Sequence, residues 1–406
     1  MNRAPLLCLL IGGLAVLGMV LRDGGLLALA LPPLAYLGAG LLARPQPPQV
    51  RAARTLSATC VSAETPVDVE LVLTNDGPLP VDVALHDTPP SDLAVAGITH
   101  VRGIVVPGGE LRTSYTLSGS RGRHRFGAVQ VSISEPLALF AHQQELEVND
   151  ELLVLPPVAR LRSVPIRPRR TRPVVGPTPA RRAGDGIDFF GVRPYRTGDP
   201  LRRINERVSA RYAPALFVDD FEREQAADVV LVLDVRRGDP QAIVLPSTFA
   251  RAVEMTAALA AALLDRGHRV GLLQYGRSLD WIVPGYGRVQ RERVLRALGR
   301  AELHVSEVFD RIEALPTRLF PARAQIILVS PLHGDEPTLL TRLRARRFEV
   351  LVVSPAPSDV VTGLAAQIAA TERTLMVARV RAAGVFLIDW AADRTAAEAL
   401  DRAHLG

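Results

Sequence analysis

Residues Gly184 to Arg211 read GDGIDFFGVRPYRTGDPLRRINERVSAR, and Asp228 to Val235 read DVVLVLDV. The first stretch carries Asp185, Asp188, Arg193, Tyr195, Arg196, Asp199, Arg202, Arg203, Asn205, Glu206, Arg207 and Arg211. Burying a lone charge is costly, so such a segment is either a solvated arm or an ordered network of arginine–carboxylate pairs. Gly198-Asp199-Pro200 reads as a tight turn in which Asp199 accepts from nearby backbone N–H groups. Ile204, Val208 and Arg211 recur at about helical spacing, which predicts a short helix with one apolar stripe. A strand-like run, Ala215 to Val218, comes next. DVVLVLDV is almost continuously apolar, as a parallel strand buried on both faces requires.

Towards the C-terminus, strands and helices alternate. Pro246-Ser247 opens a helix to about Arg266, and Arg269 to Tyr275 is a strand. Arg277-Ser278 turns it into an antiparallel edge strand, Leu279 to Pro284. Helix Arg288 to Leu298, strand Ala324 to Ser330, helix Pro337 to Arg346 and strand Phe348 to Ser354 follow. Helix Glu372 to Ala382 and strand Val385 to Trp390 end the series. This alternation predicts a doubly wound α/β domain over residues 227–406. Ligands of such sheets bind at the carboxyl ends of the strands.

On the N-terminal side, residues 157–183 form a Pro- and Arg-rich linker expected to run extended. Arg160, Arg162, Arg167, Arg169, Arg170, Arg172, Arg181 and Arg182 lie in it. It is solvated, or it meets a protein or acidic lipid headgroups at about 1 kcal/mol per cation. Without interleaved aromatics it does not read as a nucleic-acid strip. Residues 51–156 change to period two. Val67 to Leu73, Val81 to Leu85, Leu111 to Leu117, Ala128 to Ile133 and Glu151 to Leu155 are the expected strands, separated by turns such as Asn75-Asp76-Gly77. That pattern predicts an all-β, immunoglobulin-like sandwich. His86, His100, His124 and His142 are scattered in it without metal-ligand spacing.

Residues 1–45 hold two apolar runs, Leu6 to Leu21 and Leu26 to Leu42, each near the lower limit for a bilayer span. Arg22-Asp23-Gly24-Gly25 separates them, and Pro32-Pro33 kinks the second. The expectation is a transmembrane helical hairpin. Arg3 precedes it and Arg44, Arg51 and Arg54 follow, which places both ends in the cytoplasm of a cell membrane.

The motif itself, Arg-x-Tyr-x-x-Gly-Asp followed by Arg-x-Ile-Asn, Ser-Ala-Arg and a strand ending in Leu-Asp, resembles the bacterial and archaeal "domain of unknown function 58" family. Glu206 and Arg207 stand where that family usually has an aromatic and a basic residue. The resemblance implies a membrane hairpin, a β domain, this motif over residues 184–226 and a von Willebrand factor type A-like domain. It further implies a protein partner, a MoxR-type AAA+ ATPase, in assembly or maturation of envelope or metal-dependent complexes. It would also place magnesium at Asp-x-Ser-x-Ser. Here that loop is Asp234-Val235-Arg236-Arg237-Gly238, and Ser330 is followed by Pro331-Leu332 without the family's Asp. Arg236 offers no oxygen ligand, so the metal site reads as degenerate, with Asp234 as its remnant.

The remaining chemistry is bounded by absence. All 48 basic residues are arginine against 42 acidic ones, a composition that reflects a GC-rich genome rather than a nucleic-acid role. With no lysine there is no Schiff base, no Walker A lysine and no Ser–Lys dyad. Cys8 and Cys60 are too few for a disulfide framework. Common hydrolase, zinc and dinucleotide motifs do not occur. Arginines beside Asp185, Asp188 and Asp199 would lower their pKa, opposite to what a general acid needs. The expected function is therefore a membrane-anchored, non-enzymatic interaction protein without cofactor, contacting protein and lipid. Its motif residues Arg193, Tyr195, Asp199, Arg202, Asn205 and Arg211 would act as a clasp between domains. The alternative is a hydrolase using the motif carboxylates.

Overall fold

The computed structural model describes residues 4–42, 49–134, 141–162, 164, 179–224, 226–237, 246–276, 279–303, 312, 315–322, 324–332, 334–357 and 364–405. The chain divides into two units, Met1–Leu155 and Pro156–Gly406.

The first apolar run forms helix α1 (Ala4–Leu21). Arg22 turns the chain at φ 52°. Asp23 then caps α2 (Gly24–Leu29), its carboxylate accepting from Gly25 N–H at 2.8 Å. Helix α3 (Leu31–Leu42) follows after Ala30. Pro32 and Pro33 thus fall in the first turn of α3, where a missing N–H costs nothing. A Cβ at Gly18 would lie 2.9 Å from Leu27 Cγ, so glycine there permits the close approach of α1 and α2. Leu9 and Val20 are each 73% exposed, an apolar surface that water does not favour.

The β strands of this unit are β1 (Val50–Leu56), β2 (Cys60–Ser62), β3 (Val67–Asn75), β4 (Val81–His86), β5 (Ala94–Gly97), β6 (His100–Val105), β7 (Glu110–Ser118), β8 (Gly122–Arg125), β9 (Val129–Ser134), β10 (Ala141–Leu146) and β11 (Glu151–Leu155). They build two four-stranded sheets, β1-β3-β7-β5 and β10-β9-β4-β6, and a three-stranded one, β2-β11-β8. Alternation along β3 buries Val67, Val69, Leu71 and Leu73 and leaves Asp68 and Glu70 outside. Leu71 and Leu73 share a core with Val83, Leu85, Val131 and Ile133 from the other sheet. All five strands expected from period two are present. Of the six that were not expected, β2, β5 and β8 are short, and β10, AHQQEL, carries few apolar residues.

A buried ion pair ties this sandwich. Arg54 and Asp87 side chains are both 0% exposed. Arg54 donates to Asp87 through Nη2 at 2.5 Å and Nε at 3.1 Å, and to Val148 and Gly127 carbonyls. Tyr115 O–H donates to the same carboxylate at 2.6 Å. Arg54, which sequence alone places among the membrane-flanking cations, is thus committed to the β core.

In the second unit, Val158, Ala159 and Leu161 pack on the α/β core and Val164 is buried in it. Arg167, Arg169, Arg170 and Arg172 lie outside the described residues. Strand β12 (Pro179–Pro194) takes up the end of the expected linker and pairs antiparallel, with bulges, with β13 (Phe217–Glu224). Helix α4 (Glu206–Arg211) lies between them in sequence.

Next come β14 (Asp228–Asp234), α5 (Pro246–Asp265), β15 (Arg269–Tyr275), β16 (Leu279–Gly285), α6 (Gly287–Gly299), β17 (Gln325–Val329), α7 (Glu336–Ala345), β18 (Glu349–Pro355), α8 (Leu364–Ala382), β19 (Phe386–Trp390) and α9 (Ala396–Leu405). The sheet runs β16-β15-β14-β17-β18-β19, parallel except for β16. One face, with Val229, Leu231 and Leu233, packs against Ala257, Leu259 and Leu263 of α5. The other, with Val230 and Val232, packs against Leu339, Leu343 and Val380 of α7 and α8. Among the described residues α5 is the one helix long and apolar enough to cross a bilayer. Its residues are largely buried against the sheet, the position of a core helix. Helix α9 and the early start of α8 were not foreseen.

Candidate functional site

Two polar clusters in the second unit bear on function. The first is the motif. Arg193, at the end of β12, grips Asp199 with two parallel hydrogen bonds, Nη1 to Oδ2 at 2.7 Å and Nη2 to Oδ1 at 2.8 Å. Its Nε lies 3.3 Å from Asp220 Oδ2 on β13. Asp199 Oδ2 also accepts from Arg196 N–H at 2.7 Å. The turn expected at Gly198-Asp199-Pro200 is present, with Gly198 at φ 105°, a conformation glycine adopts without strain. The Arg193 fork, then the Arg196 N–H, hold the Asp199 carboxyl down at about 2.

Tyr195 N–H donates to Leu216 O at 2.8 Å and pins the loop to the chain entering β13. Ile204 is not in the helix; it makes a bridge to Val218. Asn205 is the cap instead, accepting from Val208 N–H at 2.9 Å and donating to Asp219 at 2.6 Å. Ser209 accepts from Phe217 N–H. The carboxylates that receive the motif are therefore Asp199, Asp219 and Asp220. Asp219 and Asp220 escaped the sequence reading because they lie beyond Arg211, on a strand that meets the motif through pairing. Glu206 is exposed on α4. Asp185 and Asp188 fall on β12, with side chains outside the described set. Arg202, Arg207 and Arg211 are exposed, beside Leu201 at 74% and Tyr212 at 60% exposure.

The second cluster sits at the carboxyl ends of β14 and β17, where the strand order reverses. Asp234, Ser330 and Glu336 are buried, and so is Arg236. Arg236 binds Asp234 through Nε at 2.9 Å and Nη2 at 2.8 Å. It binds Asp335 through Nη1 at 2.7 Å and Nη2 at 3.1 Å. Ser330 Oγ lies 3.0 Å from both Asp234 Oδ2 and Glu336 Oε1. Burial alone would lower the Arg236 pKa; the bonds and charges of Asp234 and Asp335 outweigh it and raise it. The guanidinium lies 5.7 Å from the Tyr275 ring centroid.

From sequence Asp234 was left to cap the strand end or to pair with Arg236 or with a motif arginine; the structure pairs it with Arg236, and Asp335 and Glu336 were not foreseen. After Ser330 the chain turns back, with Leu332 at φ 70° and Gly334 at φ 114°, and so returns two carboxylates to the strand end. The signal was Gly-Asp-Glu-Pro opening a helix. Among the described residues no group of three or more His, Cys, Asp or Glu side chains is placed to hold a metal ion. A magnesium ion does not fit beside Arg236, because the guanidinium occupies the convergence point of the carboxylates. In the first unit, His86 and His100 are cross-strand neighbours with ring centroids 6.4 Å apart.

Residues 191–385 match the family profile described as "Protein of unknown function DUF58", which supports the resemblance read from the motif. No curated protein matches the chain. Among solved structures, a FixG-related protein from Vibrio parahaemolyticus is 12% identical, over 26% of this chain and 95% of that chain, with TM-score 0.18. The CARDB domain of the PF1109 protein from Pyrococcus furiosus, solved with di-metal ions, is 13% identical over 27% of this chain and 89% of that chain, with TM-score 0.19. The GAE domain of GGA2p from Saccharomyces cerevisiae is 9% identical over 26% and 92%, with TM-score 0.19.

Proposed function

We propose that this chain is a membrane-anchored, non-enzymatic interaction protein that docks a partner on the motif surface. The partner is a MoxR-type AAA+ ATPase, and the work is assembly or maturation of envelope or other protein complexes. Helices α1 to α3 are the membrane hairpin in this reading, with both soluble units in the cytoplasm. The N-terminal sandwich is immunoglobulin-like and the C-terminal unit von Willebrand A-like, with its metal position lost.

One observation carries the reading. Asp199 is spent on Arg193 and Arg196, which leaves it ionised far below the range a general acid uses. The same pairs hold rigid a surface on which Arg202, Arg207 and Arg211 stand out beside Leu201 and Tyr212. Arginine and tyrosine with an apolar neighbour are the residues that protein interfaces concentrate. Affinity purification of the full chain from detergent-solubilised membranes, with mass spectrometry, tests this. The wild type should recover an AAA+ ATPase, and Arg202→Glu with Arg207→Glu and Arg211→Glu should lose it. Recovery by both proteins, or hydrolase activity abolished by Asp199→Asn, would refute the reading.

A further inference from the structure

We propose that the end of the β sandwich at which β1 starts rests on the bilayer that holds the hairpin, with Leu79 and Val106 seated among the lipid headgroups. The proposal rests on the membrane reading of helices α1 to α3 and adds a second lipid contact to it.

Topology defines that end. Val50 opens β1 opposite Asn75, the last residue of β3. Val81 opens β4 opposite Val105, the last residue of β6. The turn from β3 to β4 and the connection from β6 to β7 therefore close the sandwich on the side where the chain enters it. Residues 43–49 join α3 to β1, and a chain running from Leu42 to Val50 reaches at most about 29 Å. Strand β3, with nine residues, is itself about 30 Å long. The entry end thus stays within one strand length of the end of α3.

Exposure marks the same end. Among the described residues, five large apolar side chains of the sandwich stand exposed. Leu79 at 62%, Ile104 at 76% and Val106 at 58% belong to the entry end; Val95 and Ile98 belong to β5 and the turn after it. Leu79 and Val106 lie in the two connecting turns, and buried Asn75 locks those turns together. Its side-chain amide donates to Leu79 O at 2.9 Å and to Val105 O at 3.0 Å. Its backbone carbonyl accepts from Gly108 N–H at 2.8 Å, and its N–H donates to Gly109 O at 3.1 Å. The apolar tips are therefore held outward by a fixed frame. Arg51 and Asp76, beside them, neutralise each other through Nε at 3.2 Å and Nη2 at 2.8 Å. Apolar side chains without net charge suit the boundary between headgroups and acyl chains, into which they sink about 5–10 Å. A bilayer is the apolar partner that the short tether keeps within reach.

The test uses the full chain with Cys8→Ser and Cys60→Ser, reconstituted in vesicles of phosphatidylcholine and phosphatidylglycerol. One cysteine, at Leu79→Cys or Val106→Cys, carries an environment-sensitive fluorophore, and a lipid with a nitroxide high on its acyl chain is the quencher. Thr65→Cys is the reference, exposed ahead of Val67, where β3 starts opposite Leu117 at the other end of the sandwich. Leu9→Cys reports the hairpin. All four positions are exposed, and circular dichroism checks that each labelled chain folds; if one of the two tip variants fails, the other decides. Labels at 79 and 106 should be quenched at least about two-fold more than the label at 65, because interfacial seating brings them within reach of the nitroxide. Quenching at 9 with no excess at 79 or 106 would overturn the proposal and leave the hairpin reading intact. No quenching at 9 would overturn the hairpin reading, and the proposal with it. Labels at 79 and 106 shielded only as protein concentration rises, without lipid quenching, would assign this end to a second copy of the chain and overturn the lipid contact.

Discussion

Asp199 and Arg193 show how one pair can settle the chemistry of a charged segment. The bidentate geometry fixes both side chains and keeps the carboxylate ionised. An unfolded aspartate titrates near 3.9, whereas Asp199 in the folded chain titrates at about 2. Between those values the unfolded chain binds a proton that the folded chain does not, so stability falls as pH falls from about 4 to about 2. Asp199→Asn should flatten this acid limb, measured by urea unfolding across that window; an unchanged limb would remove the pair from the stability of the unit. A different weight attaches to Asp87. It is sealed against Arg54 and Tyr115, so Asp87→Ala strands a buried guanidinium and should cost about 3–5 kcal/mol. The exposed pair Arg51–Asp76 is the comparison, and Asp76→Ala should cost at most about 1 kcal/mol. Chemical denaturation of the two variants measures both.

At the scale of elements, hydrophobic period was the reliable signal. Period two located β3, β4, β7, β9 and β11, and the apolar run DVVLVLDV located β14 in the middle of its sheet. Elements with little apolar content were illegible. Strand β8 is GRHR, and it forms because β11 offers it a partner. Helices α1 to α3 show the limit of the same signal. Many of their apolar side chains face outward, and among the described residues Leu9 and Val20 stay 73% exposed. In the proposed reading a bilayer would cover that surface, and Arg3, Arg44 and Arg51 would set its direction. Reporter fusions after Gln49 and after Gly406 should be active only in the cytoplasmic format. Periplasmic activity from either would contradict the hairpin orientation.

Over the whole molecule, what the sequence left unread is mostly pairing across distance. The Gly198 turn and the succession of C-terminal strands and helices are local enough to be read directly, whereas Asp234 was left with Arg236 as one of several partners. Asp219 and Asp220 reach the motif only because β12 and β13 pair. Asp335 and Glu336 reach Arg236 only because the chain doubles back after Ser330. Arg54 and Asp87 are 33 residues apart and meet inside a core. In each case the charge was visible, but its partner was specified by topology. The same distinction separates the residues that hold the motif from those it displays, and the account rests on that separation. Its most direct test is the affinity of the full chain in detergent for the AAA+ ATPase proposed as its partner, measured across a salt series. Wild type should bind with an affinity that falls as salt screens the arginines. Arg202→Glu with Arg207→Glu and Arg211→Glu should weaken binding at least about ten-fold at low salt, while circular dichroism and melting temperature stay unchanged. Equal affinity of the two proteins at every salt concentration would contradict the account.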